Sequence, residues 1–221
     1  MKKIEINEFG GPEVLEIKNV DIGKPGQNEV LVKNLSIGIN YIDTYHRSGL
    51  YPIPLPSGIG LEACSIIEEV GSEVKLFKVG DRVTRASMPI GTYSEKQIIP
   101  EDKLVKVPDN ISDEVASCIT LKGITAEYLL HRTYQVKKGD KILYHAAAGA
   151  LGQIFCPWAN ALGAEIIGTV GSDEKIEIAK KNGCHHVINY NEKNFVEEVE
   201  KIVGKNGLDV VYDGVGAKTF E

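Results

Sequence analysis

Two rhythms of hydrophobic and polar residues divide this chain. From Lys2 to about Pro108 the apolar positions come in short or alternating runs, at residues 14–20, 29–35, 63–70 and 93–99, each bounded by Gly and Pro. That punctuation predicts a β-rich, barrel-like unit. Residues 112–117 and 123–134 change the period: Ile124, Ala126, Leu129 and Leu130 recur as on a helix, and Ser112 stands where an N-cap belongs. Strand and helix patterns then alternate: a strand-turn-helix at 141–162, a strand at 164–170, a helix at 173–182, a strand at 186–189, a helix at 194–203 and a strand at 208–212. Repeated βα units linked by right-handed crossovers make a doubly wound parallel sheet. The pattern predicts α/β plus β, with one domain over residues 1–120 and a second over 121–221.

The turn after the first parallel strand bears on function. In KILYHAAAGALG (residues 141–152), Gly149 and Gly152 occupy the second and third glycine positions of a GxGxxG-type turn, with Ala147 at the first. Such a turn lets a backbone approach a pyrophosphate at a helix N-terminus, although tight packing alone also uses small residues there. Its place on the first βα unit favours the nucleotide reading. NAD-specific folds end the second strand on an acid; here the strand runs into Val170, Gly171 and Ser172, and nearby Lys175 offers positive charge to a ribose 2′-phosphate. Tyr190 stands at the end of the third strand. Asp173 and Glu174 pull the other way, and a lysine on a solvated helix face is the bland alternative for Lys175.

Composition narrows the partners. The net charge of −6, without a basic run, gives no footprint for nucleic acid or an acidic membrane, which favours a small-molecule partner. Cys64, Cys118, Cys156 and Cys184 are scattered with no metal-ligand spacing, as are the five histidines. Residues 1–10 are too polar for a leader and no apolar run reaches membrane length, which predicts a cytoplasmic protein. The segment INYIDTYHRSGLY (39–51) concentrates Asn, Asp, Tyr and His in a loop or short helix, suited either to a pocket wall or to a packed helical turn.

FGGPEVL (9–15), GINYIDTYHRSGLY (38–51), VGDRV (79–83), LKGITA (121–126), HAAAGALGQ (145–153) and VINY (187–190), in this order, resemble the zinc-independent quinone oxidoreductases, the zeta-crystallin-like branch of the medium-chain dehydrogenase/reductase superfamily. The resemblance implies a GroES-like barrel, a Rossmann domain binding NADPH, and hydride transfer to a quinone or enone. It places Asn40, Asp43, Tyr45 and Tyr51 in the catalytic pocket. Tyr41, Ile42, Asp43, Thr44 and Tyr45 would line the cofactor side, and Tyr128 would approach it. The pyrophosphate would meet Gly149, Ala150, Leu151 and Gly152; the 2′-phosphate would meet Gly171, Ser172, Lys175 and Tyr190; Gly214 and Val215 would border the cofactor channel. Zinc-dependent relatives carry a cysteine in the loop equivalent to 40–45 and a histidine before a glutamate. Here that loop has no cysteine and Leu61 precedes Glu62, so no metal is expected.

Three departures from the family pattern stand out. The sequence stops at Glu221 after the fourth strand, whereas relatives continue for on the order of a hundred residues to complete the dinucleotide fold. A fragment or a shortened reading frame is the expectation, with the family's homodimer edge missing and a non-catalytic NADPH-binding remnant as the alternative to a quinone reductase or an alkene or enoyl reductase. Pro157 falls inside the predicted third helix, where proline costs about 3 kcal/mol. Ala150 replaces a second consecutive glycine in the cradle.

Overall fold

The computed structural model describes residues 1–205 and 207–220, so Glu221, where the sequence stops, lies outside them. The chain divides into two compact units, Met1–Leu121 and Lys122–Glu221.

The first unit is built from β1 (Lys2–Ile6), β2 (Glu16–Asn19), β3 (Glu29–Gly38), helix α1 (Tyr41–Ser48), β4 (Ser57–Gly58), β5 (Glu62–Val70), β6 (Arg82–Ala86), β7 (Lys96–Pro100) and β8 (Val105–Lys106). These strands form two antiparallel sheets, in the orders β2-β1-β4 and β7-β3-β5-β6-β8, joined by an isolated bridge between Lys3 and Ser94. Alternation sends Val30, Val32, Ile67, Val83 and Ile99 into one core with Leu104. The sequence pattern anticipates the bodies of β2, β3, β5 and β7. It misses β6, because RVTRA has only one large apolar side chain and its Thr84 and Arg85 are nonetheless buried.

Helix α2 (Asp113–Tyr128) is continuous and leads into a π turn over Leu129–Thr133. The two predicted helical segments thus fuse into one, because Gly123 within it is tolerated and nothing breaks the backbone at residues 118–122. Ser112 Oγ accepts from the Val115 N–H at 3.3 Å, the cap expected from sequence.

The second unit alternates β9 (Lys141–Tyr144), α3 (Gly152–Ala161), β10 (Glu165–Val170), α4 (Ile176–Lys181), β11 (His186–Asn189), α5 (Phe195–Val203) and β12 (Val210–Tyr212). All four strands pair in parallel, in the order β11-β10-β9-β12. Both faces are covered, as a parallel sheet requires. Ile142, Tyr144, Ile166 and Val170 pack with Phe155 and Leu130 on one side, and Leu143, Ile167 and Ile188 pack with Val199 on the other. Tyr144 stacks on Phe155 with ring centroids 4.4 Å apart.

Pro157 does lie inside α3, but on its solvent face. It removes the bond its N–H would have given to the Gln153 carbonyl. Gln153 is exposed, which leaves that oxygen on the side where water replaces the lost partner. The buried face of the helix, Phe155, Cys156 and Ala159, is untouched. Replacing Pro157 by Gln is expected to raise stability by about 2 kcal/mol, since the restored bond outweighs the entropy that proline removes from the unfolded chain. Denaturant unfolding of the two proteins under one set of conditions measures the difference.

Candidate functional site

In the second unit the chain leaves β9 through His145, Ala146, Ala147 and Ala148 before α3 begins. Ala147 is fully buried, and its N–H donates to the Thr169 carbonyl at 3.0 Å. Two glycines permit that seat. A Cβ at Gly152 would lie 2.4 Å from the Ala147 carbonyl oxygen, and one at Gly168 would lie 2.7 Å from the Ala147 Cβ. Ala146, at φ 59, is the one non-glycine residue with positive φ among those described. Its carbonyl accepts from the Gly149 N–H at 2.8 Å, closing the turn. A non-glycine residue held in the left-handed region marks a backbone whose path is fixed by its surroundings.

Beyond this turn the N–H groups of Ala150, Leu151 and Gly152 donate to no backbone carbonyl among the described residues. They open the positive end of the α3 dipole. Three such donors form a cradle matched to a phosphate oxygen.

The ends of the neighbouring strands border this cradle. Gly171 follows β10, and the Tyr190 hydroxyl lies 2.9 Å from where a Cβ on Gly171 would stand. Asn191 Nδ2 donates to the Gly171 carbonyl at 2.7 Å. Ser172 precedes the short 3-10 turn Asp173–Lys175, and Lys175 is exposed. Asp173, the acid that weighed against a phosphorylated ribose, accepts from Asn189 Nδ2 at 2.8 Å and so already has a partner. After β12, Asp213 Oδ1 accepts from the N–H groups of Val215 at 2.7 Å and Gly216 at 3.1 Å, while Thr219 bonds both its oxygens. Burial pushes the Asp213 carboxyl up, but these donors and nearby His145 outweigh it and hold it below the usual range. Gly214 and Val215 are held by this carboxylate. Tyr128, at the end of α2, is partly exposed.

In the first unit, the segment 39–51 contains α1 (Tyr41–Ser48), with Asn40 at its N-cap and Gly49 at its C-cap. Asp43 Oδ2 accepts from the Asn40 N–H at 2.9 Å, and the Asp43 N–H donates to the Asn40 carbonyl at 3.0 Å. Tyr93 adds a hydroxyl donor to the same Oδ2 at 2.8 Å. Asn40 Nδ2 donates to Glu62 Oε2 at 2.9 Å, and Glu62 Oε1 accepts from the Leu121 N–H at 2.7 Å. Asn40 and Asp43 are both buried. Desolvation raises the Asp43 carboxyl pKa, against the lowering by its Asn40 and Tyr93 bonds.

The exposed surface of this segment belongs to tyrosines. Tyr41 is 77% exposed and Tyr51 51%. Tyr45 stands edge-on to both, at 5.3 and 5.2 Å between centroids. Ile42 and Thr44 are half-buried, and Thr44 Oγ1 donates back to the Tyr41 carbonyl at 2.7 Å. Sequence reading put Asn40 and Asp43 beside these rings in one pocket. The fold places the two polar residues beneath the helix and the rings outside it. Tyr41 and Tyr45 meet on one face of a helical turn, as the packed-turn alternative has it.

Sequence reasoning passed over Tyr93, which it took only as the start of a strand, and treated Glu62 only as a possible metal ligand. The bonds that give them a role reach across 50 and 22 positions and have no local signal. A zinc ion does not fit these donors. Among the described residues no three His, Cys, Asp or Glu side chains gather, and both Glu62 oxygens already accept hydrogen bonds.

Comparison with known proteins matches residues 26–109 to the alcohol dehydrogenase GroES-like domain and residues 150–221 to the family described as zinc-binding dehydrogenase. A quinone oxidoreductase of Pseudomonas aeruginosa is 49% identical over 221 residues, covering 100% of this chain and 68% of the relative. A 2-haloacrylate reductase of a Burkholderia species is 47% identical, covering 98% of this chain and 67% of the relative. The crystal structure of Escherichia coli quinone oxidoreductase complexed with NADPH superposes with a TM-score of 0.95 at 49% identity, over 98% of this chain and 67% of that one. The chain thus spans about two thirds of the length of these relatives.

His145 supplies a check on the site's surroundings. It is buried with Nδ1 2.8 Å from Thr169 Oγ1, and desolvation lowers its pKa from 6.5. Above that value both the folded and unfolded states hold it neutral. As pH falls below 6.5 the unfolded chain takes up the proton first, so stability is lost. The thermal midpoint is expected to drop as pH falls below 6.5, and His145→Gln to flatten that part of the profile.

Proposed function

We propose that this chain, which belongs to the quinone oxidoreductase branch of the medium-chain dehydrogenase/reductase superfamily, binds NADPH and reduces a quinone or a related conjugated carbonyl. One observation carries the reading: the unpaired N–H groups at the start of α3 offer a pyrophosphate site in a chain 49% identical to quinone oxidoreductases. The likeness to a 2-haloacrylate reductase supports a second reading, reduction of an activated alkene, which makes the same demand for a hydride.

NADPH, when bound, supplies that hydride, and the protein's task is to bind and orient. In this proposal the backbone of Gly149, Ala150, Leu151 and Gly152 takes the pyrophosphate. The methyl of Ala150 is exposed, so its cost to the cradle is small. Gly171, Ser172, Lys175 and Tyr190 take the 2′-phosphate, with Lys175 as the cation and Tyr190 against Gly171. Gly214 and Val215, fixed by Asp213, and Tyr128 border the nicotinamide end.

On α1 and just after it, the rings of Tyr41, Tyr45 and Tyr51, with Ile42 and Thr44, form a wall suited to a flat conjugated substrate. The Tyr45 and Tyr51 hydroxyls serve as donors to the carbonyl oxygen on which charge develops. Asn40 and Asp43 act from beneath, holding the helix start so that the rings keep their places. A cytoplasmic location is the setting in which this activity is proposed to run.

Two measurements test the reading. Lys175→Glu is expected to weaken NADPH binding by about tenfold or more while leaving NADH nearly unchanged, since only one of them brings a phosphate to this charge; equal effects on the two contradict the assignment. In steady-state assays, NADPH consumption is expected with a quinone panel. Consumption with 2-haloacrylates alone selects the second reading.

A further inference from the structure

Arg85, on β6, is only 3% exposed, and among the described residues no carboxylate faces its charge. Burial alone lowers its pKa, to about 10. A buried guanidinium satisfied only by neutral groups contributes little to stability, and an apolar side chain of similar size commonly serves as well or better. Its hydrogen bonds give it a different use. Nη1 donates to the carbonyls of Ser87 at 2.6 Å and Pro89 at 2.5 Å, and Nη2 donates to Gln97 Oε1. Gln97 Nε2 in turn holds the Ile90 carbonyl at 3.1 Å. Two side chains thus gather three carbonyls of the loop between β6 and β7.

That loop leads directly to Tyr93. The Gly91 and Thr92 N–H groups both donate to the Gly60 carbonyl, at 2.8 and 3.2 Å, and the Tyr93 N–H donates to Ile59 at 2.9 Å. Gly60 has φ 99, and a Cβ there would lie 2.3 Å from Thr92 Oγ1 and 2.4 Å from the Tyr93 ring, so the Tyr93 side chain has one path. The path ends at Asp43 Oδ2, which also caps α1 through Asn40. Asp43 Oδ1 is buried with no hydrogen-bond partner among the described residues, so the hydrogen bonds that hold this carboxylate all reach Oδ2.

We infer that Arg85 and Tyr93 are positioning residues for substrate: the Arg85–Gln97 clamp fixes the loop that presents Tyr93, and Tyr93 fixes α1 and its tyrosine wall through Asp43. Neither residue needs to touch substrate. The inference rests on the proposed quinone reduction taking place at α1. A wall displaced by a fraction of an ångström lowers turnover steeply while cofactor binding, carried by the cradle of α3, is unchanged.

The test uses Tyr93→Phe, Arg85→Met, the double variant and the unaltered chain, each assayed for quinone turnover, NADPH affinity and thermal midpoint. The expected result is a loss of about tenfold or more in kcat/KM for quinone in either single variant, with NADPH affinity within about twofold of the parent. In the double variant the second substitution adds little, because the two residues act in series. Arg85→Lys, which keeps the charge but lacks the planar fork, is expected to fail to rescue. Should Arg85→Met not fold, Tyr93→Phe alone decides, since it removes one hydroxyl from a partly accessible ring. Unchanged quinone kinetics in Tyr93→Phe overturn the inference, as do losses in the two single variants that simply multiply. An unaltered chain that binds NADPH yet reduces no quinone overturns the proposed function instead, which keeps the two failures apart.

Discussion

The second unit is arranged around one close approach: the Ala147 backbone fits against Gly152 on α3 and its methyl against Gly168 on β10. A methyl group at either glycine would overlap Ala147, so side-chain-free positions on two different elements let the helix settle onto the first two parallel strands. The same seat turns the chain through Ala146 in a left-handed conformation and leaves the N–H groups of Ala150, Leu151 and Gly152 without a backbone acceptor among the described residues. Packing and the proposed pyrophosphate binding are here one constraint, because the geometry that lets α3 close over the sheet also exposes its positive end.

The parallel unit was legible in the sequence almost element by element, since each strand and helix has its own period and the glycine turn falls on the first crossover. Capping by Ser112 was legible for the same local reason. What escaped was non-local. β6 carries Thr84 and Arg85 into the interior, where apolar pattern gives no signal, and α2 is continuous where its apolar spacing breaks. At α1 the sequence singled out the segment but could not separate its layers: Asn40 and Asp43 lie inside, Tyr41 and Tyr51 outside, because Glu62 and Tyr93, distant in the chain, draw the polar residues inward. Pro157 read as a defect, and only its exposed position shows why α3 tolerates it.

These layers suit a reductase that borrows its chemistry from a dinucleotide. No side chain must be a strong acid or base; the demands are a fixed cradle for one end of the cofactor and an apolar aromatic wall for the substrate. In the proposed reading each unit meets one demand with backbone or ring atoms, and in each the holding residues, Asp213 beside Gly214 and Asp43 beneath Tyr45, are carboxylates spent on hydrogen bonds to the chain itself.

The central claim is direct transfer of hydride from NADPH to a conjugated carbonyl. Anaerobic single-turnover measurement with NADPH deuterated at the transferable position tests it most closely: the account predicts that oxidation of the nicotinamide depends on added quinone, slows with deuterium, and delivers the label to the reduced product or, through the hydroquinone oxygen, to solvent. NADPH that binds to the protein but is oxidised at the same rate with and without every quinone and activated alkene offered would contradict it.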